Sequence, residues 1–292
     1  MSFVDLISLR AFKPSARNAH LPLARRLPGQ RVLVLGVGSE MVKAAVVELP
    51  VQPDGLPIVI HCEVFVRRNA RAMIDLVAGL RERGPYQRIK YAVVVLEHSW
   101  KLELVRGFYN GEDLNAQLRS APAEIVETDI LSGHTYAALP HPLADLMLLF
   151  SAPSAEIEQL YHAVEEAGLT IVRMKISALG ALEMLYRKGL EGCHGDLLYV
   201  DRNSYCLVQQ VVNAVGQEQV DLWSSIRFAS RRPGEALEQM ASALRSRDNP
   251  EAPVTLLAES DLAEEVRALG AGLTFNLPVQ QLHFDLFSSC VG

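Results

Sequence analysis

One order of predicted secondary-structure elements occurs twice along the chain: three strands, an amphipathic helix and a further apolar strand. In the first copy these elements span 31–37, 41–49, 58–66, 70–83 and 91–96. In the second copy they span 196–201, 205–212, 219–227, 234–245 and 254–258. Of the 292 residues, 49% are hydrophobic, which is enough to fill two cores. The repetition therefore predicts two lobes of the same α/β fold.

The stretch between the two copies fits neither of them. Strand-like segments at 100–108, 123–132, 134–139 and 143–151 and a short helix at 111–119 predict a small inserted subdomain. Helices at 155–167 and 178–188, with an extended segment at 169–176, lead on to the second copy. We therefore divide the chain into an N-terminal arm (1–30), a first lobe (31–99), an inserted subdomain (100–152) and a second lobe (153–292).

The N-terminal arm combines a short apolar run with a cluster of positive charges. The apolar residues are Phe3, Val4, Leu6, Ile7 and Leu9, and the basic residues are Arg10, Lys13, Arg17, Arg25, Arg26 and Arg31. Two interpretations remain open. A short basic amphipathic segment can make reversible contact with anionic lipid or with a partner helix, or the arm is a flexible tail.

Charge, hydropathy and cysteine usage narrow the possible partners and compartment. A net charge of −6 and a pI of about 5.8 give no general attraction to nucleic acid. The longest apolar runs, 91–96 and 143–150, are far shorter than the roughly 20 residues that a membrane-spanning helix needs. The cysteines lack the short paired spacing of a zinc site, and no signal peptide precedes them, which favours reduced thiols in the cytoplasm. They are Cys62, Cys193, Cys206 and Cys290.

The first predicted hairpin resembles part of a known family. The sequence Val-Leu-Gly-Val-Gly-Ser at 34–39, followed by Val42 and Lys43, is similar to the first phosphate loop of PilM, the actin-like assembly protein of type IV pili. Further similar passages are 146–152, at the exit from the inserted subdomain, 197–204, the second phosphate loop, and 254–259, the adenosine-side strand. The resemblance covers 31–278 and implies an α/β, actin-like fold, with duplicated ribonuclease H-like lobes and a small inserted α+β subdomain.

This sequence departs from the family's pattern at each of the three places that contact nucleotide. Gly36 stands where the family has the Asp that holds Mg²⁺, and glycine has no oxygen ligand in a side chain. The family's Asp-x-Gly in the second loop is Asp-Arg-Asn at 201–203, and the Asn203 side chain fills space that a phosphate needs. Glu259 puts an anion where the family has a glycine-rich adenosine loop.

These departures predict a vestigial nucleotide site, with neither ATP nor Mg²⁺ as a cofactor and with no catalytic or metal-binding residues. The residues of that site are Gly36, Gly38, Ser39, Lys43, Asp201, Asn203, Ser204 and Glu259. The alternative is an active ATPase or small-molecule kinase of the same fold that binds ATP and Mg²⁺. It would need Lys43 to neutralise a phosphate rather than lie on a solvated strand edge, Asp201 to hold Mg²⁺ rather than cap a turn, and Glu97 to act as a general base.

The resemblance also implies a role. PilM lies at the inner face of the cytoplasmic membrane and binds the N-terminal tail of the membrane protein PilN as an extended peptide beside the inserted subdomain. By analogy, we predict a non-enzymatic cytoplasmic scaffold with a partner groove between the first lobe and the insert. The groove residues that we expect are Leu102, Leu104, Val105 and Phe108.

Two other roles remain open for a chain of this kind. The cytoplasmic part of the type II secretion protein GspL is also actin-like and also weak in nucleotide motifs, although a transmembrane helix follows it. A cell-division anchor resembling FtsA would suit an amphipathic terminal segment, but here that segment lies at the opposite end of the chain.

Overall fold

The computed structural model describes residues 23–38, 41–52, 55–67, 71–97, 100–106, 133–140, 146–177, 196–200, 204–212, 218–227, 233–247, 251, 254–258 and 268. Within these ranges the chain forms three β-sheets and four α-helices. In chain order the elements are α1 (Leu23–Arg26), β1 (Arg31–Val37), β2 (Met41–Glu48), β3 (Ile58–Val66), α2 (Arg71–Glu82), β4 (Tyr91–Leu96), β5 (Lys101–Arg106), β6 (His134–Pro140), β7 (Leu146–Pro153), α3 (Ser154–Glu166), β8 (Thr170–Ile176), β9 (Asp196–Val200), β10 (Ser204–Val212), β11 (Glu218–Arg227), α4 (Pro233–Arg245) and β12 (Val254–Ala258).

The first sheet has five strands in the order β3-β2-β1-β4-β8. β1 pairs antiparallel with β2 and parallel with β4, so the three-strand meander, helix and strand of the first predicted copy are present. β1, β2 and β4 are buried along nearly their whole length. Their continuous Val, Leu and Ala runs require this, because a strand with apolar residues at every position needs both faces of the sheet covered.

The fifth strand of this sheet is β8, which the division of the sequence had placed in the second lobe. It pairs parallel with β4, with Tyr91 opposite Thr170 and Leu96 opposite Ile176. The helix before it, α3, packs against α2. α3 and β8 thus complete the first lobe, and the inserted segment interrupts that lobe instead of ending it.

The second sheet repeats the first. Its order is β11-β10-β9-β12, with β9 antiparallel to β10 and parallel to β12. β9, β10, β11 and β12 therefore occupy the positions that β1, β2, β3 and β4 occupy in the first lobe. α4 precedes β12 as α2 precedes β4, so the predicted duplication is confirmed.

The third sheet belongs to the inserted subdomain. β7 lies at its centre, antiparallel to both β5 and β6. The backbone of β5 also runs alongside β11, the outer strand of the second sheet. The helix predicted at 111–119 and the strand-like segment at 123–132 lie outside the described residues, as does the helix predicted at 178–188.

The N-terminal arm is described only from Leu23 onward. Leu23 is fully buried and belongs to the core of the first lobe, although the sequence had assigned residues 1–30 to the arm. The apolar run that begins at Phe3 lies outside the described residues, so its proposed contacts stay a prediction. No helix within the described ranges combines the length and the apolarity needed to cross a membrane.

β3 forms the outer edge of the first sheet, next to β2. Its large exposed apolar side chains are Ile58, Ile60, Val64 and Val66. The pairing of β2 with β3 shifts register between Val46 and Val47, and such an irregularity bends an edge strand and hinders the addition of another strand. Cys62 on β3 is a free thiol, and partial burial, together with the neighbouring Glu63, raises its pKa.

Candidate functional site

The hairpin between β1 and β2 is the first place where the fold would present a phosphate loop. Gly36 lies directly opposite Lys43 in the β1–β2 register. The Gly38 N–H donates to the Met41 carbonyl oxygen at 2.9 Å, which closes the turn. A Cβ atom on Gly38 would lie 3.0 Å from that same carbonyl oxygen and 3.5 Å from a Glu97 carboxylate oxygen. The close approach accounts for glycine at position 38.

Lys43 and Glu97 form a buried ion pair beneath this hairpin. Lys43 Nζ lies 3.2 Å from Glu97 Oε2, and the two side chains are only 6% and 8% exposed. Glu97 directly follows β4, and its backbone N–H donates to the Val37 carbonyl oxygen at 2.9 Å. The interpretation of Lys43 as a solvated residue on a strand edge is therefore wrong, because β2 is an interior strand of the sheet.

The ion pair limits the chemical roles that are open to Lys43 and Glu97. A Lys that faces an open phosphate loop carries an uncompensated positive charge, whereas the charge of Lys43 is balanced within the protein by Glu97. A general base must reach a water or a substrate proton. The Oε2 atom of Glu97 is instead engaged with an ammonium group in the protein interior.

Arg67 is a second cation at the hairpin, and the sequence analysis did not identify it. It directly follows β3, and its Nη1 donates to the Gly38 carbonyl oxygen at 3.0 Å. The same guanidinium lies 3.4 Å from Glu156 Oε1 in the first turn of α3. The sequence gives little indication of this role, because Arg67 is a single arginine at the end of a strand. Its carboxylate partner lies 89 residues away along the chain.

The structure brings Gly36, Gly38 and Lys43 together in one hairpin. Ser204 is the first residue of β10, opposite Arg227 of β11. Leu102, Leu104 and Val105 lie on β5, opposite β7 and alongside β11 of the second lobe, whereas the sequence predicts a groove between the first lobe and the insert. The remaining predicted site residues, Ser39, Asp201, Asn203, Glu259 and Phe108, lie outside the described residues.

A magnesium nucleotide fits poorly to the described part of the first loop. Gly36 supplies no oxygen ligand from a side chain at the position where the resemblance implies an Asp. In the part of the chain that the structure describes, no three or more His, Cys, Asp or Glu residues form a group able to hold a metal ion. Lys43 would have to exchange Glu97 for a phosphate.

No family model and no curated protein matches this sequence. Solved structures do match. The PilM–PilN type IV pilus biogenesis complex aligns with a TM-score of 0.62 and 14% identity, over 90% of this chain and 98% of that chain. The cytoplasmic domain of EpsL, an inner membrane component of the type II secretion system of Vibrio cholerae, aligns with a TM-score of 0.55 and 12% identity, over 89% and 94%.

A third similar structure is that of a Bacteroides thetaiotaomicron protein with an actin-like ATPase fold and unknown function. It aligns with a TM-score of 0.54 and 10% identity, over 90% of this chain and 96% of that one. All three similarities extend over nearly the whole of both chains. The chain therefore has the actin-like fold, in agreement with the fold implied by its resemblance to PilM.

Proposed function

We propose that this chain is a non-enzymatic scaffold of a type IV pilus or related secretion machine, which binds the short cytoplasmic N-terminal tail of a PilN-like inner-membrane protein. The observation that carries the proposal is the end-to-end similarity to the structure of PilM in complex with PilN. In this proposal the protein works in the cytoplasm at the inner face of the membrane. Its basic N-terminal arm adds peripheral contact with the lipid surface.

The first phosphate loop supports a role without nucleotide hydrolysis. Its lysine is buried and paired with Glu97, so an incoming phosphate would have to displace a carboxylate from a site that is shielded from water. Gly36 removes the oxygen ligand that would draw Mg²⁺ to the same place. Binding a peptide needs neither group, because backbone hydrogen bonds and a few apolar contacts supply its affinity.

The position of β5 supports a partner site on the inserted subdomain. β5 is an edge strand of its own three-stranded sheet, and its backbone runs beside the edge strand of the second lobe. Leu102 and Leu104 occupy alternate positions along this strand, and Val105 follows them. We propose that the PilN-like tail binds along this strand, with Leu102, Leu104, Val105 and Phe108 as contacts.

The tail binds the full chain in this proposal, and Leu104→Asp should weaken binding by about tenfold or more, since a charge replaces an apolar contact. Fluorescence anisotropy with a labelled synthetic tail of the PilN-like protein from the same organism measures the affinity, and circular dichroism verifies that the variant is folded. Leu56→Asp is the matched control, because Leu56 is 74% exposed in the first lobe. A tail that fails to bind the folded wild-type chain contradicts the proposal.

Calorimetric titration with Mg·ATP to about 1 mM should show no saturable heat of binding. At that concentration even a weak site, with a binding free energy of about −4 kcal/mol, would be half occupied. The reason is the pairing of Lys43 with Glu97 and the missing ligand at Gly36. An actin-like protein that binds ATP, titrated in the same buffer, is the positive control. Saturable binding, or phosphate release above the buffer background, would favour the active ATPase or kinase.

A second candidate function follows from the similarity to the EpsL cytoplasmic domain. The chain would then serve the type II secretion machine as a GspL-like protein. Cross-linking in cells separates the two candidates: recovery of type IV pilus components supports the PilM-like role, and recovery of type II secretion components supports the GspL-like role.

A further inference from the structure

We propose that Arg67 is a positioning residue that ties the β1–β2 hairpin to the start of α3, and so holds the inserted sheet against the first lobe. The inference concerns the fold itself and does not require that the chain bind a tail.

The contacts of Arg67 join two separate parts of the first lobe. Its guanidinium donates to the Gly38 carbonyl oxygen at 3.0 Å and lies 3.4 Å from the Glu156 carboxylate. The Arg67 and Glu156 side chains are 11% and 18% exposed, so water and salt screen their interaction far less than that of a surface pair. The planar guanidinium can serve a carbonyl and a carboxylate at the same time, which a lysine ammonium does less well.

The start of α3 is in turn joined to the inserted sheet. α3 begins at Ser154, immediately after β7 ends at Pro153. The Ser154 N–H donates to the Gly133 carbonyl oxygen at 2.8 Å, and the hydroxyl oxygens of Ser154 and Thr135 lie 3.0 Å apart. Gly133 and Thr135 flank the beginning of β6, so the first turn of α3 contacts the inserted sheet through two of its strands.

The far end of α3 is also well anchored. Gly168 has a φ of +73°, and the N–H groups of Gly168 and Leu169 donate back to the carbonyl oxygens of Glu165 and Val164. This is the Schellman arrangement that glycine favours at a helix end. The contact between Arg67 and Glu156 and the contacts of Ser154 with the inserted sheet both lie in the first turn of α3, so the restraint passes between them over two residues.

Two ion pairs lie at the described part of the hairpin. Lys43 pairs with Glu97, which follows β4, and Arg67 pairs with Glu156 in the first turn of α3. The Arg67 side chain links the hairpin to the first turn of α3, which in turn contacts the inserted sheet.

Hydrogen–deuterium exchange of the full-length chain tests this directly. With Arg67→Gln, the amides of the hairpin, of the N-terminal half of α3 and of β6 should exchange about tenfold faster, as expected for loss of a partly buried charged hydrogen bond. Arg31→Gln is the matched control. Arg31 also pairs with a glutamate, Glu48, at 3.0 Å, but both side chains are largely exposed, so its exchange pattern should match the wild type.

Glu156→Gln separates the two contacts of Arg67. It should speed exchange in α3 and β6 while leaving the hairpin amides within about twofold of wild type, because the bond to the Gly38 carbonyl is kept. If Arg67→Gln unfolds the chain, so that β9 to β12 also exchange rapidly, the Glu156→Gln result alone decides. Unchanged exchange in α3 and β6 in the folded variants would overturn the inference.

Discussion

Replacing Lys43 with Met should destabilise the first lobe by about 3–5 kcal/mol, since the buried Glu97 carboxylate then loses the ammonium that balances its charge. The two side chains lie 3.2 Å apart, and both are more than nine-tenths buried. Water has little access to Glu97, so its carboxylate must either stay charged in the protein interior or take up a proton, and both lower the free energy of unfolding. This is one of the two largest effects that we expect of a single substitution.

Urea denaturation followed by tryptophan fluorescence measures the effect, with signals from Trp100, which is fully buried in the core of the first lobe, and from Trp223 of β11. Lys90→Met is the matched control, because Lys90 is exposed, and we expect its change to stay within about 0.5 kcal/mol. The double variant Lys43→Met/Glu97→Leu should recover most of the loss, since a buried ion pair can often be replaced by apolar residues at little cost. A Lys43→Met protein as stable as the control would show that the ion pair contributes little.

Arg247→Met should destabilise the second lobe by a similar amount, about 3–5 kcal/mol. Arg247 Nη1 lies 2.7 Å from Asp196 Oδ2, and the side chains are 0% and 4% exposed. Arg247 Nε also donates to the Leu244 carbonyl oxygen, in the last turn of α4. The residue therefore joins the end of α4 to the beginning of β9, and the substitution removes both bonds while leaving Asp196 buried.

Exchange protection of β9, β10 and β12 reports this loss, because Asp196 begins β9 and β9 pairs with both of the other strands. Arg245→Met, two residues earlier on the exposed side of α4, is the matched control and should keep wild-type protection. Asp196→Asn should be destabilising as well, since it leaves the guanidinium buried without a carboxylate. If Arg247→Met and Arg245→Met behave alike, the pair is not a principal anchor of this lobe.

The strands and helices of both lobes could be predicted because their signals are local. The run from Tyr91 to Leu96 and the glycines at 36 and 38 are recognisable within a few residues of sequence. Recurrence of the same order of elements then predicted the duplicated fold, which the second sheet confirms. The position of β8 could not be predicted in this way, because the inserted segment separates it from its neighbour β4 along the chain.

The candidate site was predictable only in part. Gly36 and Lys43 stood out because they belong to one short motif, and the hairpin register does place them opposite each other. The burial of Lys43 was missed, since a lysine on an amphipathic strand usually faces solvent and nothing near it in the sequence indicates the carboxylate of Glu97. Arg67 was missed for the same reason.

The sequence by itself determined the two repeated units, the apolar strands and the absence of a side-chain oxygen at Gly36, since each depends on residue type and on spacing over a few positions. Only the tertiary structure decided which charges meet. Arg67 and Glu156 are 89 residues apart, and Arg247 and Asp196 are 51 apart. Such pairs form when sheets and helices pack, because Coulomb attraction depends on distance in space and on exclusion of water, and local sequence patterns specify neither.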